Sequence, residues 1–189
     1  MSAFPARRDL RFPILCVVAL AAVTASVLIV PGMAGLLGGA LAVMMIAIAA
    51  VDARRFIIPD RLVLAALLVG LLQAALTTWE GVLAGLAQAA VRGAVVALAF
   101  WALLKGYERL RGRAGMGLGD VKLAGVAGVW LDWMGITVAV EIAALAALAV
   151  IAVRAFMGHR VSATTAVPFG AFFAPAIWLA WLLEITLIS

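Results

Sequence analysis

Residues 34–55 read AGLLGGALAVMMIAIAAVDARR. Positions 34–51 of that stretch carry no charge, and at about 1.5 Å per residue such a helix covers most of a hydrocarbon core about 30 Å thick. The run then meets Asp52, Arg54 and Arg55, as a membrane helix does where it leaves the bilayer. The same pattern recurs along the chain, with apolar segments at 12–31, 34–51, 61–78, 82–104, 120–131, 134–155 and 167–187. Of the 189 residues, 68% are hydrophobic and 12% charged, against roughly a quarter charged in soluble domains. The expected fold is therefore all-α: a polytopic integral membrane helix bundle of six to seven membrane segments, the fifth conspicuously short, with no room for a soluble domain. Segment one follows Arg7, Arg8 and Arg11 as a signal peptide would, but its length and the second span close behind it make it a retained signal anchor.

Lys and Arg accumulate on the cytoplasmic side of short loops, which tests the segmentation independently. The region before segment one has three basic residues, 31–33 none, 52–61 three (Arg54, Arg55, Arg61) and 79–81 none. Residues 105–122 have five (Lys105, Arg109, Arg111, Arg113, Lys122), 132–133 none, and 154–160 two (Arg154, Arg160). This alternation puts the N-terminus in the cytoplasm, the C-terminus outside, and Asp52 and Asp120 on one face although 68 positions separate them. The net charge of +5 is accounted for by this topology, without a nucleic-acid partner. Cys16 is the one cysteine, so no intrachain disulfide or zinc ribbon is expected, and neither a metal nor another cofactor is called for.

Aspartates are expensive at a membrane boundary and need a reason. Pro59-Asp60 precedes segment three, where a carboxylate at a helix N-terminus is favourable by about 0.3–1 kcal/mol. Asp52 has no such excuse, because it ends a span, where the helix dipole disfavours negative charge. Either Arg54 and Arg55 compensate it or its proton affinity is useful. Gly115, Gly117 and Gly119 alternate before Asp120, which suggests an irregular backbone under cover of protein or water; the plainer alternative is a loop whose Asp120 caps the next helix. Two carboxylates held close share a proton, one acid and one base, and can activate water against an amide. No other set in the chain competes: His159 is the single histidine and sits in a loop, and serines are sparse.

Asp52 with Ile58-Pro59-Asp60, then Gly117-Leu118-Gly119-Asp120-Val121-Lys122-Leu123, then Val167-Pro168-Phe169-Gly170, together resemble the type IV prepilin peptidases, membrane aspartic proteases of the GxGD class. The resemblance covers positions 40 to 180 or so and implies one transmembrane peptidase domain over 1–189. It implies Asp52 and Asp120 as the catalytic pair, with Gly117 and Gly119 in the second motif. Pro59 and Asp60 would support the site. Lys122 would tune the charge of Asp120 or orient substrate, and Pro168, Phe169 and Gly170 would pack near the site. The implied substrate is a prepilin with a short basic leader followed by a hydrophobic helix lying in the bilayer, cleaved at the cytoplasmic face of the bacterial inner membrane. Long members carry paired cysteines after the first span, linked to N-methylation; Pro31 to Met33 stand there instead, so cleavage without methylation is expected, as in forms serving Flp-type pili. The basic loops suit a basic leader badly, which leaves Asp60 and Glu108 to line its path.

Other readings are a presenilin-like enzyme, which lacks support where Val51-Asp52 and Pro168-Phe169-Gly170 stand, a proton- or cation-coupled transporter, and a structural subunit of a pilus or secretion machine. Arg92 and Glu141 lie mid-span, where a lone charge costs at least about 2.5–3.5 kcal/mol, so they are expected to pair or share a polar pocket. Trp79, Trp101, Trp130, Trp133, Trp178 and Trp181 fall mostly near span ends, as interfacial anchors do. The oligomeric state is open.

Overall fold

A computed structural model describes residues 11–78, 81–112, 117–158 and 168–188. Arg7, Arg8, Trp79, Arg113, Gly115, His159, Arg160 and Val167 lie outside these described residues. Within them the chain forms seven helices: α1 (Arg11–Ile29), α2 (Met33–Arg55), α3 (Asp60–Thr77), α4 (Val82–Arg111), α5 (Leu118–Trp130), α6 (Trp133–Phe156) and α7 (Phe169–Ile188). The apolar runs become helices because lipid offers the backbone no partner, so each N–H and C=O must be satisfied within its own segment. Five of them, α2, α3, α4, α6 and α7, are long and apolar enough to cross a membrane. The chain is a multi-pass membrane protein.

Two boundaries differ from the sequence reading. Helix α2 continues to Arg55, so Asp52 occupies its last turn rather than its end. Helix α4 runs on through Lys105, Glu108 and Arg109 to Arg111, so the helix is about 45 Å long, more than a hydrocarbon core of about 30 Å requires, and the basic residues 105–111 are its last two turns and not a loop. Lys105 and Glu108 pair on this extension at 2.8 Å.

Helix α5 is the centre of the bundle. Its 13 residues reach only about 20 Å, and every residue from Leu123 to Leu131 is buried. A helix apolar on all sides is stable only when covered on all sides, and α3, α4 and α7 supply the cover. Helix α4 approaches most closely. A Cβ on Gly128 would stand 2.8 Å from the Arg92 carbonyl oxygen, and one on Gly93 would stand 2.8 Å from Val129 Cγ2, the small-residue packing that holds helices together where no hydrophobic force acts between them. Opposite faces of α1, α3, α4 and α6 are lipid-facing, with Leu20, Leu68, Leu83 and Leu145 exposed.

Trp130 and Trp181 are not interfacial anchors. Both are buried and meet edge to face at 6.3 Å, with the Trp130 N–H donating to the Ala66 carbonyl at 2.8 Å. Trp178 donates to Ser26 Oγ at 3.0 Å and ties α7 to α1. Trp101 and Trp133 are exposed.

Arg92 and Glu141 do not pair. Helix α6 packs on α7 and α5 while α4 packs on α5 and α3, so the two residues point into different surroundings. Arg92 Nε donates to the Gly128 carbonyl at 3.0 Å, and Glu141 is exposed on α6.

Candidate active site

Four helix ends converge at one end of the bundle. The last turn of α2 carries Asp52, α3 begins at Asp60, α5 carries Asp120 in its first turn, and α7 begins at Phe169. A cavity of about 430 Å³ lies among the first three, lined by Asp52, Phe56, Ile58, Asp60, Gly117, Asp120 and neighbouring residues. Asp52 and Asp120 are the two buried carboxylates of the chain's described core, 6% and 8% exposed.

The structure resolves why Asp52 survives at a helix C-terminus. Arg54 and Arg55 are exposed, and the compensation comes instead from α7, whose Ala171 N–H donates to Asp52 Oδ2 at 2.8 Å. The positive end of one helix dipole thus offsets the negative end of another. Gly170, one residue earlier, is where α7 and the carboxylate touch: a Cβ there would stand 2.9 Å from Asp52 Oδ2.

Asp120 both caps α5 and faces the cavity. Its N–H donates to the Gly117 carbonyl at 3.1 Å, and Gly117 N–H donates back to Asp120 Oδ2 at 3.2 Å. The capping alternative raised from the sequence therefore holds, but it occupies one oxygen of a buried group that also lines the cavity with Asp52. Burial pushes the Asp120 carboxyl up to about 6; the Gly117 N–H opposes this and the nearby Asp52 charge adds to it. Helix α5 is too short to span, and Asp120 stands at the end where the charged connections emerge.

The α2–α3 connection wedges Ile58 between the two acidic helices. Phe56 takes the left-handed conformation (φ 54) as its N–H closes on the Asp52 carbonyl at 2.9 Å, a backbone state that costs a bulky residue of order 1–3 kcal/mol and turns the chain sharply. Phe56 and Ile57 are then exposed and Ile58 is buried. A Cβ on Gly119 would meet Ile58 Cβ at 3.0 Å, and one on Gly170 would meet Ile58 Cδ1 at 2.8 Å. Ile58 thus fills the space between α5 and α7 beside Asp52, a role the motif contained without revealing.

Lys122 pairs with Asp60 at 2.6 Å, joining α5 to α3 at the rim of the cavity that both residues line. Both side chains are largely exposed. Asp60 and Glu108, the acids expected to line a basic leader's path, each already have a lysine partner. Pro59 precedes α3 in an extended conformation, its carbonyl accepting from Leu62 and Val63. Pro168 offers its carbonyl to Ala171 N–H, and Phe169 packs on Phe173 in a tilted ring pair at 5.4 Å, so this motif sets the position of the α7 N-terminus under Asp52. Among the described residues no group of three or more His, Cys, Asp or Glu gathers to hold a metal.

The Type IV leader peptidase family model matches residues 39–153. The chain is similar to the "Prepilin leader peptidase/N-methyltransferase" of Aeromonas hydrophila, 30% identical over 181 residues, covering 91% of this chain and 58% of the relative. The protein of the same description from Burkholderia pseudomallei (strain 1026b) is 36% identical over 145 residues, covering 76% and 45%, and that of Stutzerimonas stutzeri is 31% identical over 139 residues, covering 73% and 46%. The chain spans about half the length of these relatives. No solved structure matches it.

Proposed function

The chain belongs to the type IV leader peptidase family, and we propose that it is an aspartic endopeptidase that removes the basic leader from a prepilin-like substrate, with Asp52 and Asp120 as the catalytic pair. One observation carries this reading: two buried carboxylates, 68 positions apart in the chain, line one cavity. The aspartates divide the work by their surroundings. Asp120, raised to about 6, holds the proton, and Asp52, which accepts the Ala171 N–H at the α7 N-terminus, serves as the base.

In the first step Asp52 takes a proton from water as the water oxygen bonds the scissile carbonyl carbon, and Asp120 gives its proton to the carbonyl oxygen. The product is a gem-diol. Asp52 then passes its proton to the amide nitrogen, Asp120 recovers one from a diol hydroxyl, and the C–N bond breaks to leave acid and amine. Burial of both groups strengthens each of these electrostatic interactions.

The site's position at the end bearing Arg54, Arg55, Arg61 and the basic extension of α4 supports a cytoplasmic active site in the bacterial inner membrane, with the N-terminus inside. Exposed Phe56 and Ile57 at the cavity rim suit a substrate whose cleavage point adjoins a hydrophobic helix in the bilayer. Residues 30–32 alone join α1 to α2, leaving no cysteine-bearing insertion between them, and we assign cleavage without N-methylation.

The test is cleavage of a prepilin-like substrate by the reconstituted protein. Asp52→Asn and Asp120→Asn should each abolish it while the protein still inserts and migrates as a folded species. Retained cleavage in either variant overturns the mechanism.

A further inference from the structure

A second cavity, of about 290 Å³, lies at the opposite end of the bundle. It opens between the C-terminal ends of α3, α5 and α7 and the first turns of α4, and Gln73, Thr78, Arg92, Trp181 and Glu184 are among its lining. None of these belongs to the aspartate site, which sits at the other ends of the same helices.

Its chemistry is two-sided. Arg92 is tethered by Nε to the Gly128 carbonyl, which leaves the guanidinium's outer N–H groups, a planar donor fork suited to phosphate. Trp181 is 1% exposed, and its indole nitrogen is a buried donor without a hydrogen-bond partner. On the accepting side, Gln73 Oε1 is likewise buried and unpartnered. Glu184 accepts the Asp132 N–H at 3.2 Å, and a carboxylate retains further acceptor capacity. Arg92 and Glu184 both line the cavity, yet the ion pairs among the described residues are Lys105–Glu108 and Lys122–Asp60. A guanidinium and a carboxyl group are therefore held on one cavity without being paired to each other.

An anion alone would answer Arg92 and the Trp181 N–H and leave Gln73 Oε1 without a donor; a cation alone would do the reverse. An acyl chain would leave the Trp181 N–H and Gln73 Oε1 unsatisfied, each at about 1–3 kcal/mol, and would set hydrocarbon against Arg92 and Glu184. A small zwitterion meets both sets. We infer that this cavity binds a phosphoethanolamine group, of the kind membrane phospholipids carry, with phosphate on Arg92 and the Trp181 N–H and ammonium on Glu184 and the Gln73 carbonyl. The face opposite the aspartates then has a lipid seat bridging α3, α4 and α7 around the end of α5. A choline headgroup has no N–H to donate and fits poorly.

The experiment reconstitutes the whole chain in nanodiscs of phosphatidylethanolamine or phosphatidylcholine, each with the same fraction of phosphatidylglycerol, extracts it in mild detergent, and counts retained lipid by native mass spectrometry. Retention of phosphatidylethanolamine is expected to exceed that of phosphatidylcholine about tenfold. R92Q and E184Q should remove the preference. Gln73→Met deletes one acceptor without changing charge or volume greatly, and should reduce the preference even if a charge variant fails to fold. Binding of soluble glycerophosphoethanolamine without retained lipid would keep the headgroup chemistry and overturn the lipid source. Equal retention of both lipids, or a preference unchanged in R92Q and Gln73→Met, overturns the assignment and leaves a water-filled cavity.

Discussion

Gly170→Ala puts one methyl group where α7, Ile58 and Asp52 meet. The new Cβ would stand 2.8 Å from Ile58 Cδ1, 2.9 Å from Asp52 Oδ2 and 3.2 Å from Asp52 Cγ, all inside the optimum of about 3.5–4.0 Å for carbon contacts. Ile58 is packed against Gly119 on its other side and cannot retreat freely, so the carboxylate moves. Its 2.8 Å bond from Ala171 N–H is then stretched or lost. A hydrogen bond to a charged group contributes about 1.5–3 kcal/mol, which translates to a fall of about ten- to 150-fold in kcat/KM. The assay is leader cleavage at substrate concentrations well below KM, with thermal unfolding in the same detergent to separate lost activity from lost fold. Adding Ile58→Ala should restore part of the activity by giving the methyl room on one side. Gly119→Ala, whose Cβ has three Ile58 atoms at 3.0–3.1 Å as its nearest neighbours, should be rescued more fully by the same second change. If Gly170→Ala cleaves within twofold of the parent, the Ala171 N–H is not what holds Asp52, and the reasoning fails.

Asp120 supplies a pH prediction. Its folded-state value of about 6 lies above the ordinary carboxylate value of 3.8, so the folded protein binds this proton more tightly than the unfolded chain. The stability it contributes is fully present below pH 3.8 and is lost as pH rises through about 6; Asp120→Asn should raise the unfolding temperature at pH 7.5 relative to the parent, with little effect at pH 4. In kcat/KM the loss of this acid should appear as a descending limb centred near pH 6, and a profile flat from pH 5 to 8 would contradict the assignment. The Lys122–Asp60 pair is exposed, and Lys122→Ala should cost under about 1 kcal/mol of stability, with exchange of the two residues restoring any loss in a denaturation series. Gly128→Val forces a side chain onto the Arg92 carbonyl and Gly93 Cα, both 2.8 Å from its Cβ, and should destabilise by about 1–3 kcal/mol or more, measured as a lower unfolding temperature.

Much of the architecture is legible in particular stretches of sequence. The uncharged run 34–51 ending at Asp52 becomes α2, the shortness of segment 120–131 returns as the buried α5, and Gly117, Gly119 and Asp120 open that helix. Asp52 and Asp120 stand out in the sequence by their cost at a membrane boundary, and both are buried. Other details had no local signal. The α4 extension has the sequence pattern of a loop because its charges end the apolar run, whereas a helix needs no apolar face once it has left the lipid. Glu184 drew no notice at the end of an apolar run, because its significance depends on Arg92 and Gln73 arriving from other helices.

The membrane location, the helices and their order follow from the amino-acid chain alone, because hydropathy and helix length are properties of consecutive residues. So does the need to explain two aspartates. Which faces meet is settled by the packing of the helices. In a soluble helix the buried side announces itself by an apolar stripe, but in lipid the exposed and buried sides are both apolar, so Trp130 and Trp181 look like anchors until they are seen packed together. For the same reason the partners of Asp52 and Arg92, a backbone N–H on α7 and a backbone carbonyl on α5, were invisible in sequence, since every residue but proline carries the one and every residue the other.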